Sequence, residues 1–178
     1  PKETFSTDEP VKALALSPDG SWLAWVDDAG TVTLLSLTGS ETLDPFVVAG
    51  GVGHLAISPQ EILLEGSHSG DLNGHERLGG HRWSHHLGGG CDHIAVAPKG
   101  NLVAVIDGAR LLHLLTSNGR LLCHHSGGEL VHLAIAENGE VAAVADDEGK
   151  VTVVERNGAI RYTRPARGEQ GERVTALS

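Results

Sequence analysis

The sequence predicts an all-β fold built from four repeated four-stranded sheets, and three observations support this prediction. A short phrase recurs five times, and its serine or alanine stands at positions 17, 58, 97, 136 and 178, at steps of 41, 39, 39 and 42 residues. Valine, leucine, isoleucine and threonine dominate the segments between copies, as is typical of strands. Glycine, aspartate and asparagine gather at the junctions, which argues against helices. A period near 40 residues with such content is typical of β-propeller blades.

The first copy shows its four strands in order. Alternating apolar and small or polar residues predict strand a at 12–17, ended by the turn residues Pro18, Asp19 and Gly20. Strand b is predicted at 22–26, strand c at 31–37 and strand d at 43–48. The same frame fits the third and fourth copies, in which strand c is predicted at 111–117 and 150–156. Each copy therefore predicts one blade.

The repeat divides the chain into four predicted blades and two flanking segments. The blades are expected at 11–51, 52–90, 91–129 and 130–173. Residues 1–10 are expected to be the outer strand of a preceding blade or a linker, and 174–178 the first strand of a further blade. Because a propeller closes so that no sheet edge stays open, we expect this chain to belong to a larger ring or to complete its ring with another chain.

The turns resemble those of WD40-type repeats. A Ser-Pro-Asp-Gly turn follows strand a at 17–20, acidic pairs follow strand b at 27–28 and 146–147, and a glycine follows strand c. The Trp-Asp dipeptide that closes strand c in that family is replaced in all four copies, by Leu35-Ser36, His75-Glu76, Leu115-Thr116 and Val154-Glu155. The resemblance implies a WD40-like propeller that lacks the side-chain network of the family.

Composition and motifs argue against several classes of function. A formal net charge of −10 argues against general nucleic-acid binding, which depends on basic side chains. Cys91 and Cys123 stand 32 residues apart, which supports neither a zinc ribbon nor a disulfide framework. The sequence has no apolar run near 18 residues, no nucleophile–base motif and no phosphate-binding glycine loop before a helix. We therefore expect no membrane span, no cofactor and no catalytic residue, and we expect a cytoplasmic location.

The second copy departs most from the others. Its strand c, predicted at 71–78, is polar, and its strand d, predicted at 81–87, is rich in histidine. Because Trp and Arg dominate interface hot spots, we predict a protein-binding surface anchored by Trp83 and Arg82. Its flanking residues would be the histidines His75, His85 and His86. An alternative is that Trp83 fills the space between the second and third blades.

Pairing across this hairpin follows from its predicted turn. A two-residue turn at Gly79 and Gly80 would place His75 beside Ser84.

Three histidines occupy one position of the repeat, just before the apolar centre of strand a. His54, His93 and His132 are predicted on the same face as the alanines two residues later, and around the axis because strand a is innermost. Two interpretations remain open. The histidines bond to the backbone or a neighbouring blade, or they form a ligand, anion, proton or metal site in the central channel.

The sequence thus predicts a non-catalytic protein–protein interaction scaffold, one propeller segment of a larger assembly. Its expected partner is a protein or further blades from another chain. One alternative is a ligand- or metal-binding propeller, with or without enzymatic activity, whose site is the histidine-lined axis. Another is an excised or engineered fragment without activity of its own.

Overall fold

A computed structural model describes residues 7, 9–39, 43–48 and 51–165. These residues form sixteen β-strands in four antiparallel sheets, and within the described ranges there is no helix. In each sheet four consecutive strands lie side by side in chain order. The prediction of four four-stranded sheets is confirmed, and we name the sheets blades 1 to 4. The described residues accordingly offer no helix long and apolar enough to cross a membrane.

The strands of the four blades have the following bounds. Blade 1 contains β1 (Val11–Leu16), β2 (Trp22–Asp27), β3 (Thr31–Ser36) and β4 (Phe46–Val47). Blade 2 contains β5 (Val52–Ile57), β6 (Leu63–Ser67), β7 (Asp71–His75) and β8 (His81–His86). Blade 3 contains β9 (Cys91–Val96), β10 (Leu102–Asp107), β11 (Leu111–Thr116) and β12 (Leu121–Ser126). Blade 4 contains β13 (Leu130–Ile135), β14 (Val141–Asp146), β15 (Lys150–Glu155) and β16 (Ile160–Pro165).

One side-chain hydrogen bond recurs where the second strand of each blade ends. The last residue of that strand accepts a bond from the backbone N–H four residues later, at 2.8 or 2.9 Å, and these residues are Asp27, Ser67, Asp107 and Asp146. The bond satisfies a turn N–H that the hairpin would otherwise leave unpaired. The repeated acidic turn of the sequence is therefore a structural cap.

The first strands of consecutive blades are neighbours, so the blades follow one another around an axis. We call the face of a blade toward the preceding blade its rear face and the face toward the following blade its front face. At each seam, large side chains on a rear face pack against the front face of the preceding blade. Leu55 and Ile57 pack with Ala15 and Ala24 in this way between blades 1 and 2.

The other two seams repeat this arrangement. Between blades 2 and 3, Ile94 and Val96 pack with Ala56 and Leu64. Between blades 3 and 4, the rear-face residues Leu133 and Ile135 pack against a front face that includes Ala104. Burial of these side chains, at about 25 cal/mol per Å² of apolar surface, is what holds successive blades together.

The rear face of blade 1 is open. Leu14 and Leu16, which correspond to Leu55 and Ile57, are 66% and 57% exposed. They pair across β1 and β2 with Trp25 and Leu23. A shallow pocket of about 230 Å³ lies on this face. Residues 1–10 are predicted to be the outer strand of a preceding blade or a linker, and all of them except 7, 9 and 10 lie outside the described residues. Residues 174–178, predicted to be the first strand of a further blade, also lie outside the described residues.

The hairpin of blade 2 differs from the sequence prediction. Strand β7 ends at His75 rather than at residue 78, because residues 76–80 form the turn, in which Gly79 N–H donates to the Glu76 carbonyl oxygen at 2.9 Å. His75 therefore pairs with His81, and the predicted pairing with Ser84 was wrong. Gly79 has a φ of +82°, and a Cβ there would meet the Phe46 ring, so only glycine fits this turn without strain.

Candidate functional site

Trp83 lies between blades 2 and 3. Its indole Nε1 donates to the carbonyl oxygen of Ser117 at 3.2 Å, and its ring is half-buried. A Cβ at either Gly74 or Gly119 would overlap the indole. The ring therefore fills the seam, which is the packing role that the sequence left open for it. That Trp83 also contacts a protein partner stays a prediction. Only the part of the ring that is exposed outside the seam could make this contact.

Arg82 and His86 are the exposed members of the predicted surface. Arg82 Nε lies 3.7 Å from Glu76 Oε1, and its side chain is 49% exposed. His86 Nδ1 lies 3.1 Å from Asp71 Oδ1, and its side chain is 78% exposed. Because alternate residues of a strand share a face, both point away from Trp83. They are free to contact a partner.

His75 is buried in a polar cluster on the rear face of blade 2, which we call the Glu65 cluster. The cluster comprises Glu65, Asn73, His75, His81 and Ser84. The side chain of Glu65 is 1% exposed, and its Oε2 accepts from Asn73 Nδ2 at 3.0 Å and from His75 Nε2 at 3.4 Å. Glu65 Oε1 and His75 Nδ1 are buried without a hydrogen-bond partner. His75 thus helps to satisfy a buried carboxylate.

The rest of the Glu65 cluster extends to the surface. Ser84 Oγ donates to Asn73 Oδ1 at 2.6 Å and lies 2.8 Å from His81 Nε2. Sequence reasoning missed Glu65, although the signal was present. Glu65 stands at the repeat position that Trp25, Val105 and Val144 occupy in the other blades.

His85 faces blade 3, where it meets a buried aspartate–histidine pair. The rings of His85 and His113 have centroids 5.6 Å apart and stand edge to face. His113 Nε2 donates to Asp107 Oδ2 at 2.9 Å. Burial lowers the pKa of His85, and the nearby His113 and His86 add to this effect. His85 is therefore held neutral near neutral pH, and it is only half-exposed.

The carboxylate of Asp107 forms hydrogen bonds to the connection between blades 2 and 3 and to strand β11. Its carboxylate accepts from the backbone N–H groups of Gly88 at 3.1 Å and Leu111 at 2.9 Å, as well as from His113. Burial disfavours the charged carboxylate, but the hydrogen bonds from Leu111 and His113 outweigh this and lower the pKa of Asp107. This carboxylate holds the connection between blades 2 and 3 to the hairpin of blade 3.

The histidine row lies on consecutive inner strands. The row comprises His54, His93 and His132, all half-buried, and the ring centroids of His54 and His93 are 6.2 Å apart. Burial lowers the pKa of His54, and the charge of a protonated His93 would lower it further. Burial likewise lowers the pKa of His93, with a contribution from His132 that Asp92 opposes. Within the described ranges, no group of three or more His, Cys, Asp or Glu side chains is arranged to hold a metal ion.

Comparison with known proteins identifies the fold. No family model and no curated protein matches the sequence. The structure of U3-55K superimposes with a TM-score of 0.72 at 14% identity, over 89% of this chain and 53% of that one. The WD40 repeats of RRP9 superimpose with a TM-score of 0.71 at 15% identity, over 88% of this chain and 51% of that one. The chain is a WD40-like β-propeller. It spans about half the length of the structures that it matches, and identities this low establish the fold alone.

The WD40-like blades close strand c without the Trp-Asp dipeptide. In blade 1, Ser36 Oγ accepts from Gly39 N–H at 3.1 Å. In blade 3, Thr116 Oγ1 accepts from Arg120 N–H at 3.2 Å. In these two blades the second residue of the replaced dipeptide therefore caps the next turn. A hydroxyl at this position thus still accepts a turn N–H in blades 1 and 3, although the Trp-Asp dipeptide is absent.

Burial favours the neutral thiol form of the two cysteines of the WD40-like propeller. Cys91 and Cys123 are both free. Burial raises the pKa of Cys91 to about 12, and burial also raises the pKa of Cys123. Because the thiolate is the nucleophile and the metal ligand, burial disfavours the reactive form of both side chains.

Proposed function

We propose that this chain is a non-catalytic protein–protein interaction scaffold, a propeller segment of a larger assembly. The observation that supports the proposal is the open rear face of blade 1. Blades 2, 3 and 4 bury the corresponding faces against a neighbouring blade, whereas Leu14 and Leu16 remain largely exposed.

The open face is contiguous rather than scattered. The pairs Leu14–Trp25 and Leu16–Leu23 lie side by side on β1 and β2, with Val11 beside them at 42% exposure. Single exposed apolar residues are common on protein surfaces, but a contiguous apolar patch indicates an interaction site. Covering it removes large aliphatic and aromatic side chains from water, which favours association.

A paired substitution tests the scaffold proposal. Leu14→Arg places a charge on the open face, and Leu78→Arg places one at a site of 77% exposure on the blade 2 turn. We expect the wild type and Leu78→Arg to purify in an assembly heavier than one chain of 18.6 kDa, and Leu14→Arg to purify without it. Native mass measurement with identification of every component is the readout. Single-chain masses for all three proteins would refute the proposal.

We further propose that the outer strand of blade 2 supplies a second contact surface. Arg82 and His86 form its exposed part, and Trp83, His75 and His85 support it from within the blade. Arg82→Glu should lower partner affinity with little change in Tm, because the side chain is exposed. Trp83→Ala should lower Tm, because it empties part of the seam. A partner affinity unaffected by Arg82→Glu would count against this surface.

The second candidate function is ligand binding at the histidine row. The adjacent, half-buried imidazoles of His54 and His93 support it, since neutral imidazoles accept protons, hydrogen bonds or metals. Titration of histidine NMR resonances with and without Zn²⁺ tests it, with a His93→Gln variant as control. Zn²⁺ shifts that include the row and that His93→Gln abolishes are expected. Histidine resonances of the row that do not shift on addition of Zn²⁺ would exclude a zinc site there.

A further inference from the structure

We infer that the seam between blades 2 and 3 contains a binding site for a divalent transition-metal ion of the zinc class, whose protein ligands are the imidazoles of His85 and His113. A bound ion would join β8 of blade 2 to β11 of blade 3. The two ligands are distinct from the histidine row and from the open face of blade 1, so the site is independent of the functions proposed above.

Both rings carry a buried nitrogen that has no hydrogen-bond partner. These atoms are Nε2 of His85 and Nδ1 of His113. The side chain of His113 is only 8% exposed. Because buried polar atoms in folded proteins are nearly always paired, two unpaired ring nitrogens in one seam indicate a ligand that pairs with them.

Asp107 orients the imidazole of His113. Since His113 Nε2 donates its hydrogen to Asp107 Oδ2 at 2.9 Å, Nδ1 of the neutral ring carries a lone pair. The Asp107 carboxylate is held in turn by the backbone N–H groups of Gly88 and Leu111. Histidines that bind metal ions usually donate their other ring N–H to a carboxylate in this way. His113 therefore has the hydrogen bonding of a metal ligand.

The two rings have the spacing that one shared ion requires. A zinc-bound imidazole nitrogen lies about 2.0–2.1 Å from the ion, and the ring centre lies roughly 1.1 Å beyond that nitrogen. Two rings on one ion therefore have centres about 5 Å apart at a tetrahedral angle, and about 6 Å apart at a wider angle. The ring centroids of His85 and His113 are 5.6 Å apart. The separation of the two blades already suits one ion.

Solvent provides access to the pair and completes the coordination. His85 is half-exposed, so an ion can reach the seam from outside. Within the described ranges no third His, Cys, Asp or Glu side chain is arranged with the pair to hold a metal ion. The protein thus supplies two ligands, and water would occupy the other positions. We expect weaker binding than at a structural zinc site with four protein ligands.

The ligand type selects the class of ion. Imidazole nitrogen suits Zn²⁺, Cu²⁺ and Ni²⁺, whereas Mg²⁺ and Ca²⁺ take oxygen ligands. The carboxylate of Asp107 also places a negative charge beside the pair, which favours a cation over an anion. An ion of the zinc class is therefore the best match.

Two other close histidine pairs among the described residues lack this combination. The rings of His54 and His93 are 6.2 Å apart, but neither has a buried nitrogen without a partner. His75 has such a nitrogen, whereas Nε2 of its neighbour His81 already lies 2.8 Å from Ser84 Oγ. Both rings have an unpaired buried nitrogen only at the seam between blades 2 and 3, within the ranges that the structure describes.

Zinc titration of a chain with an altered histidine row tests the inference. In the His93→Gln variant of the 178-residue chain, calorimetry should show binding of one Zn²⁺ and no binding of Mg²⁺. Adding His85→Gln or His113→Gln should weaken zinc binding by more than about tenfold. His125→Gln is the matched control, since this half-buried histidine lies on the opposite face of blade 3 from His113. It should leave the zinc affinity unchanged.

Stability and NMR spectra identify the ligands in the same variants. Because a ligand of the folded state stabilises it, Zn²⁺ should raise the Tm of the His93→Gln chain, and adding His85→Gln should abolish this rise. The ring resonances of His85 and His113 should shift together on addition of Zn²⁺. Circular dichroism without zinc shows whether each variant is folded, and His85→Gln alone decides the test if His113→Gln does not fold.

Two results would overturn the inference. One is a His93→Gln chain that binds no Zn²⁺. The other is zinc binding that neither His85→Gln nor His113→Gln weakens, which would show binding by other histidines only. The functions proposed above fail separately, because native masses decide the scaffold proposal and zinc shifts at the row decide the site there. Zinc shifts confined to His85 and His113 in the wild type would refute the row and support the seam.

Discussion

At the residue scale, the indole of Trp83 determines what its neighbours can be. The ring covers Gly74 on its own blade and Gly119 on blade 3, and it donates to the Ser117 carbonyl oxygen. A half-buried aromatic ring of this size contributes mainly through the apolar surface that it covers. Packing against the indole therefore requires glycine at both positions, in addition to the positive φ that favours glycine at position 119.

Gly74→Ala tests this packing. The added Cβ would overlap the indole and force Trp83 out of its place, so we expect a loss of about 1–3 kcal/mol in the free energy of unfolding, as for other overpacked sites. Gly80→Ala is the matched control, because the nearest atom to its Cβ is Glu76 Oε2 at 3.6 Å. Urea unfolding of both variants is the measurement. Equal stabilities would contradict the packing role of Trp83.

At the element scale, one capping side chain fixes the end of each second strand. The four caps differ in burial and in the number of hydrogen bonds that they accept. Asp27 is half-buried and accepts from Thr31 N–H. Asp107 is fully buried and accepts from three backbone N–H groups and from His113. Buried donors that lose an acceptor cost about 1–3 kcal/mol each.

Asp107→Ala should therefore destabilise the fold by roughly 3 kcal/mol or more, because several buried donors lose their partner. Asp27→Ala, at the same position of blade 1, should cost about 1 kcal/mol. Chemical denaturation of the two variants provides the comparison. Similar losses in the free energy of unfolding for both variants would mean that the additional hydrogen bonds of Asp107 do not stabilise the fold.

The sequence predicted the elements best where the repeat is regular. Strand c was expected at 31–37, 111–117 and 150–156, and the structure has 31–36, 111–116 and 150–155. In blade 2 the pattern was insufficient, because the two glycines at 79 and 80 suggested a short turn. The observed turn begins at Glu76, and it leaves no room for a side chain at Gly79, which lies against Phe46, a residue 33 positions earlier in the chain.

The candidate site was predicted less completely than the fold. The histidine row follows from alternation within one strand, and the structure places its members on the first strands of blades 2, 3 and 4, with His54 beside His93. The Glu65 cluster does not follow, because the polar strand β7 could equally have faced solvent. Only the register places Asn73 beside Glu65, and only burial shows that His75 faces inward.

At the scale of the whole molecule, histidines on several blades make stability depend on pH. Burial lowers the pKa of His54, His85, His93 and His125 below the ordinary value of 6.5. The unfolded chain then binds protons more readily than the folded chain does. The corresponding stability is complete above about pH 6.5 and is lost as pH falls through 6.5 toward the folded pKa values.

Thermal unfolding at pH 7.5 and 5.5 measures this effect. We expect the wild-type Tm to fall on acidification, and the fall to be smaller in a His54→Gln, His93→Gln double variant. Each histidine contributes less than about 1.4 kcal/mol per pH unit, because solvent screens these half-buried rings. A Tm that rises at pH 5.5, or an equal fall in the variant, would contradict the lowered pKa values.

The open face of blade 1 is the central claim at this scale, and carbene footprinting of the native assembly tests it most directly. The account predicts that Leu14 and Leu16 are protected although both are exposed in the single chain, while Leu78, at 77% exposure, is fully labelled. Labelling of Leu14 and Leu16 as strong as that of Leu78 would show an uncovered face and contradict the account.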